Sequence, residues 1–292
     1  MNPLRRNKIA ASCAVVLAAS LAACSTSDAA TSTPSTAPAT TTHRVVNAEH
    51  EVVFHVTDGK LPALVLDAGG GLSSSYWKDL APRLAQATGS KVITYDRAGE
   101  GESDEVSGPW RVELAVSDLE AGLKQLGVTD DVVLVSHSIA GEVATKFVTE
   151  HPGWVSGAVL VDANVPDFFT DEMLTAFAPA VEEQKAALHA QPSTKKNRQL
   201  LSVMADYAPV HRAFHRLAWP QDVPVTAIVA SQTPFTDSPA AAQLWRDAQA
   251  RFAQAAPNRR HVVAENASHE GIVTEQPDVI AGAVEEMLKT VR

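Results

Sequence analysis

The chain has 292 residues and a formal net charge of −10, with two cysteines, Cys13 and Cys24. That acidity argues against nucleic-acid binding and against electrostatic docking on anionic lipid. The length beyond the N-terminal region suffices for one complete α/β core.

Residues 1–23 begin with Arg5, Arg6 and Lys8 and continue as an apolar or small run, Ile9 to Ala23. A basic start and a short apolar stretch describe an export signal, and the run is too short to span a bilayer as a helix. Leu21-Ala22-Ala23-Cys24 resembles a bacterial lipobox. The resemblance implies cleavage before Cys24, a diacylglyceryl group on its sulfur, and a membrane-anchored lipoprotein of the cell envelope. Cys13 would leave with the signal, so the mature chain would have no disulfide, no cysteine nucleophile and no cysteine-based metal site. Residues 24–43 hold Ser, Thr, Pro and Ala without a large apolar side chain, and are expected to form a flexible tether.

From 44 to 292 short β-branched runs alternate with helical patterns. Strands are expected at Glu51–Val56, Ala63–Leu66, Lys91–Tyr95, Asp131–Val135, Gly157–Val161, Val223–Ala230 and His261–Ala264. Helices are expected at Ser75–Gln86, Val112–Leu126, Ile139–Glu150, Pro239–Ala255 and Pro277–Val291. Continuous apolar strands between helices predict a mostly parallel sheet covered on both faces. Residues 164–222 break the alternation with three helical stretches, Thr170–His189, Lys195–Tyr207 and Pro209–Trp219. This is too long for a connection and predicts a helical cap over the carboxyl edge of the sheet, where open α/β sheets bind ligands.

Val135-Ser136-His137-Ser138-Ile139-Ala140-Gly141 carries the chemistry. A serine among small residues, on a sharp strand-to-helix turn, has the layout of a nucleophile elbow, with Ser136 and Ala140 in place of the usual glycines. A serine hydroxyl needs an adjacent base, and only histidine titrates unperturbed in the right range. Among the ten histidines, His269 follows the last strand on a loop, which a parallel sheet brings to the edge that carries Ser138. His137 is adjacent to the serine, points elsewhere, and is expected to pack beneath the elbow. His211 and His215 are an i,i+4 pair without a third ligand, read as cap surface rather than as a metal site. The glycine loop Gly69-Gly70-Gly71 lacks the Gly-Lys-Ser/Thr ending of a phosphate cradle. No feature implies a cofactor, and oligomeric state leaves no trace in the sequence.

From about residue 50 onward the chain resembles the α/β-hydrolase superfamily with a cap after the sixth strand. Four segments carry the likeness: Leu64-Val65-Leu66-Asp67-Ala68-Gly69-Gly70-Gly71, the turn Asp96-Arg97-Ala98-Gly99-Glu100-Gly101-Glu102-Ser103, the elbow, and Ala267-Ser268-His269 with Glu275-Gln276-Pro277 after it. The resemblance implies an acyl-transfer triad of Ser138, an acid and His269. Its oxyanion donors would be the N–H groups of Ile139 and Gly69, with Gly70 as the fallback. Asp67-Ala68 replace the common His-Gly. Asp96, Arg97, Gly99 and Gly101 are read as structural, the Asp/Arg pair binding backbone. The acid departs from the family pattern, because Thr233 stands where one is usual after the penultimate strand. Asp162, at the end of the preceding strand, is preferred over Asp237. Trp77, Phe168, Phe169, Phe177, Phe214 and Trp219 could line a pocket under the cap, although core packing is the simpler role for each. The implied activity is hydrolysis of an ester-like small molecule. The alternative is a small-molecule-binding protein with little turnover, since fold alone does not fix function.

Overall fold

A computed structural model describes residues 39–292. The expected signal, the expected lipidation at Cys24 and the expected tether up to residue 38 lie outside the described residues.

Strands β1 (Thr40–Asn47) and β2 (His50–Thr57) form a hairpin, followed by β3 (Lys60–Asp67), a 3-10 turn at Ser74–Trp77, α1 (Leu80–Thr88) and β4 (Ser90–Asp96). Then come α2 (Val112–Gln125), β5 (Val132–His137), α3 (Ala140–Glu150) and β6 (Val155–Val161). A short turn at Pro166–Phe168 leads into α4 (Asp171–His189), α5 (Lys195–Ala205) and α6 (Tyr207–His215). The chain closes with β7 (Val225–Gln232), α7 (Pro239–Gln254), β8 (Arg259–Ser268), α8 (Ile272–Glu275) and α9 (Pro277–Val291). The strands form one eight-stranded sheet in the order β1-β2-β4-β3-β5-β6-β7-β8. It is parallel from β4 to β8 and antiparallel at β1/β2 and β2/β4. The fold expected from the sequence is therefore present.

Strand β1 was not expected. It begins at Thr40, inside the stretch read as tether, and pairs with β2 from Thr40↔Thr57 to Asn47↔His50. Low apolar content disguised it, yet threonine is β-branched and suits an edge strand whose ladder, rather than a core, holds it. The helix expected at Ser75–Gln86 is divided between the 3-10 turn and α1.

Alternation along the strands builds a core on each face. On β5, Val132 and Leu134 join the core under α2, α3, α7 and the cap, while Val133 and Val135 join the core under α1, α8 and α9. Fully buried side chains such as Phe147 and Trp245 each contribute about 1.5–3 kcal/mol through removal from water. The strand order reverses direction at β3, flanked by β4 and β5. The loops leaving β3, β5, β6 and β8 thus gather at one edge.

Candidate active site

Ser138 sits between β5 and α3 with φ of 57°. A non-glycine residue in the left-handed region is strained and persists only where its surroundings hold it. The Ser138 carbonyl accepts hydrogen bonds from Gly141 N at 3.0 Å and Asn164 N at 2.8 Å. Ser136 and Ala140 are buried, but the tightest approach is at Gly141, where a Cβ would lie 2.2 Å from the Asn164 carbonyl oxygen.

His269 follows β8, and its Nε2 lies 3.0 Å from Ser138 Oγ. Its Nδ1 lies 2.6 Å from Asp162 Oδ2, a carboxylate oxygen that accepts. The proton therefore belongs on Nδ1, and the Nε2 lone pair faces the serine hydroxyl. Asp162, at the end of β6, is fully buried. Its other oxygen accepts from Trp245 Nε1 at 2.9 Å and from Ala230 N at 3.2 Å. Asp237 is exposed in the turn before α7. Thr233 is buried and accepts from Phe235 N at 3.3 Å. The structure thus brings Ser138, His269 and Asp162 together and leaves Asp237 apart.

Three further side chains hold the loop of His269, and the sequence assigned this task to none of them. His137 Nε2 donates to the His269 carbonyl at 2.9 Å. Tyr76, whose ring stacks on His137 at 4.8 Å, donates its hydroxyl to the next carbonyl, Glu270 O, at 3.1 Å. Glu275 accepts from Ser268 N at 2.6 Å. His137 is buried, and burial together with the neighbouring His269 pushes its imidazolium well below the ordinary histidine range. It lies under the elbow as expected. The place of Glu275 in Glu275-Gln276-Pro277 gave no sign of its hydrogen bond back to Ser268.

The glycine loop after β3 presses on the elbow. A Cβ at Gly69 would lie 2.8 Å from His137 Nδ1 and 3.2 Å from Ser138 Cβ, so only glycine fits. Gly70 faces Ile139, with a Cβ position 3.6 Å from its Cγ2. Asp96 accepts from Ser74 N and Glu102 N, both at 2.7 Å. Arg97 donates to Ala68 O at 2.5 Å and Gly69 O at 2.8 Å. Both residues bind backbone, as the sequence indicated.

The cap docks through α5 and α6. Lys195 Nζ donates to Gly101 O at 2.9 Å, and Arg198 meets both Glu105 oxygens at 2.7 Å. His211 corrects the sequence reading: it is buried, not on the cap surface. Its Nε2 lies 3.1 Å from Glu142 Oε1 and its Nδ1 2.7 Å from Tyr207 O. The apolar stretch around it concealed a buried partner on α3 that no local spacing reveals. His215 turns away to Pro166 O at 2.7 Å. Among the described residues no three His, Cys, Asp or Glu side chains are grouped to hold a metal. Phe168 lies 4.9 Å from Trp245, whose ring meets His269 at 6.3 Å, so aromatic packing reaches from the cap to His269. Trp77 and Trp219 pack elsewhere, in the α1-side core and against Phe252.

Such a sheet, with a serine, a histidine and an aspartate meeting at its carboxyl edge, is the α/β-hydrolase fold. The model of the α/β hydrolase family matches residues 64–283, and the chain belongs to that family. Over 152 residues it is 32% identical to the sn-1-specific diacylglycerol lipase ABHD11 of Mus musculus, covering 51% of this chain and 49% of that protein. Over 115 residues it is 33% identical to a non-heme haloperoxidase of Rhodococcus erythropolis, covering 39% and 41%. The chain spans about half or less of the length of these curated relatives. Among solved structures, a thermophilic esterase from Thermogutta terrifontis superposes with a TM-score of 0.60 at 21% identity, covering 86% of this chain and 99% of that one. A bromoperoxidase from Bacillus anthracis gives 0.61 at 18% identity, covering 86% and 100%. At these identities the structural likeness speaks for the fold.

Proposed function

We propose that this chain is a serine hydrolase that cleaves ester-like small-molecule substrates through an acyl-enzyme on Ser138. The observation that carries this reading is the unbroken hydrogen-bond path from Ser138 Oγ through His269 to Asp162, at 3.0 and 2.6 Å. Ser138 Oγ attacks the ester carbonyl carbon while its proton passes to His269 Nε2. Asp162 stabilises the imidazolium that results. The N–H groups of Gly69 and Ile139 receive the oxyanion. Collapse of the tetrahedral species breaks the bond to the leaving alkoxide, which takes the proton from His269. Water, deprotonated by the same nitrogen, then frees the carboxylic acid and restores the serine. Names among the relatives, esterase and diacylglycerol lipase, favour carboxylic esters as the substrate class.

A fluorophosphonate probe tests the reading: it should attach to Ser138 with loss of fluoride, and Ser138→Ala should abolish labelling. Absence of labelling in wild type would falsify it. The Leu21-Ala22-Ala23-Cys24 motif supports a companion proposal of a lipid anchor. Mass spectrometry of the chain purified from a host that processes lipoproteins should find a diacylated N-terminal Cys24; an unmodified Cys24 refutes it.

A further inference from the structure

We propose that the buried Arg97 is a positioning residue for the oxyanion loop, and that Glu100 behind it sets the charge the oxyanion meets. This deepens the serine-hydrolase reading and rests on it. Arg97 and its two acidic partners, Asp67 and Glu100, have side chains only 2–4% exposed. The guanidinium is spread over four acceptors. It pairs with Asp67, and it donates to Ala68 O at 2.5 Å, Gly69 O at 2.8 Å and Glu100 at 2.9 Å. Glu100 in turn accepts from Gly71 N at 2.9 Å. Three consecutive peptide groups of the loop, from Ala68 to Gly71, are thereby fastened from behind.

The direction of these bonds matters. In a trans peptide the carbonyl and the following N–H point to opposite sides. Turning the carbonyls of Ala68 and Gly69 toward Arg97 therefore turns the N–H groups of Gly69 and Gly70 away from it. On that far side lies the elbow, since a Gly69 side chain would collide with His137 and touch Ser138. Gly69 N–H is one of the two donors put forward for the oxyanion, beside Ile139, and Gly70 N–H is its fallback. A cation on the carbonyl end of a peptide also polarises its N–H, which strengthens the hydrogen bond that it gives. Arg97 acts on the oxyanion through the peptide, without touching substrate.

The cluster carries two carboxylates and one guanidinium, so ionised Glu100 leaves one negative charge in excess behind the donors. That excess opposes an oxyanion on their other side; a protonated Glu100 removes it. The groups facing Glu100 are Arg97, Asp67 (itself bonded by Tyr95 Oη at 2.7 Å), and Lys195 of the cap, whose ammonium binds the Gly101 carbonyl at 2.9 Å. His137, on the elbow side, is held neutral. Burial pushes the Glu100 carboxyl up, Arg97 pulls it down and Asp67 pushes it up again, to about 7. Glu100 therefore changes charge near neutral pH.

Glu100→Gln is the discriminating variant, because the amide oxygen still accepts from Gly71 N and Arg97 while the charge is gone. Its kcat with a simple ester should exceed that of wild type several-fold above pH 8, and the ionisation near 7 that lowers the wild-type kcat should vanish. Arg97→Met should lower kcat and the affinity for a trifluoromethyl ketone by at least about tenfold, with KM within about twofold of wild type. Arg97→Lys, which keeps the charge but not the fork, should recover part of that loss. Should Arg97→Met fail to fold, Glu100→Gln still decides. Parallel pH profiles for wild type and Glu100→Gln overturn the inference while labelling of Ser138 stands. No labelling of wild-type Ser138 overturns the hydrolase reading, and the inference with it.

Discussion

The indole Nε1 of Trp245 donates to Asp162 Oδ1 at 2.9 Å, and both side chains are buried. Helix α7 thereby reaches across β7 to hold Asp162, the proposed acid, which stands on a different strand from the usual one. The second acceptor bond of that oxygen, from Ala230 N at 3.2 Å, survives any change at Trp245. Trp245→Phe should therefore keep Asp162 in place but loosen its aim. A hydrogen bond to a charged group contributes about 1.5–3 kcal/mol, which corresponds to a loss of roughly ten- to hundredfold in kcat. Steady-state kinetics with a short-chain ester measures it. An unaltered kcat alongside a lowered melting temperature would reduce Trp245 to a packing role.

Asp162→Asn should cost far more. An asparagine can donate to His269 Nδ1 and so favour the tautomer with its proton on Nε2, facing the serine. In a serine-protease triad the equivalent change lowers kcat by about 10⁴. Asp237→Asn, on the exposed turn before α7, should hydrolyse the same ester at the wild-type rate. The rate of fluorophosphonate labelling gives the same comparison without a chosen substrate. A larger loss from Asp237→Asn would return the acid to the later strand.

The sheet, the cap and the meeting of Ser138 with His269 were legible because they depend on local patterns: apolar runs, small residues at a turn, a histidine after a strand. What was not legible depends on partners far apart in the chain. His211 looked like cap surface because its buried partner Glu142 lies 69 positions earlier on α3. Trp245 gave no sign of reaching Asp162, 83 positions away. Strand β1 was hidden because its stability comes from the ladder with β2 rather than from apolar burial. The choice between Asp162 and Asp237 turned on how the chain folds after β7, which spacing alone left open.

His137 couples the His269 loop to stability in acid. Its neutral Nε2–H holds the His269 carbonyl, and its folded-state imidazolium lies well below the ordinary value. The stabilisation is full above about pH 6.5, the unfolded-state value, and is lost as pH falls below it. Melting temperature should decline on the acid side of that point. His137→Gln, whose amide N–H can still reach the carbonyl, should flatten this decline and retain measurable hydrolysis. His137→Phe should lose kcat and also lower the melting temperature above pH 7, because the His269 carbonyl loses its donor. An acid limb identical to wild type in His137→Gln would move the effect to another group.

His211 should act with the opposite sign. Burial pushes its imidazolium down, but the Glu142 carboxylate, its hydrogen bond and the Tyr207 carbonyl outweigh this and hold the group above the ordinary histidine value. Asn164 Nδ2 donates to the same Glu142 oxygen at 2.6 Å, so α3, the segment after β6 and the cap helix α6 share one junction. With its folded value raised, the stabilisation is full below about pH 6.5 and is lost as pH rises through the folded-state value. Deprotonation leaves the Nε2 lone pair facing a carboxylate, and the cap loses an anchor on α3, the helix that follows Ser138. In Glu142→Gln the oxygen still accepts from Asn164, but the charge that raises His211 is gone, so the junction no longer depends on protonation of the imidazole. Proteolysis within residues 189–207 should thus accelerate on raising the pH from 6 to 9 in wild type, and stay level in Glu142→Gln. Equal acceleration in both would show that another contact, such as Arg198 on Glu105, governs release of the cap.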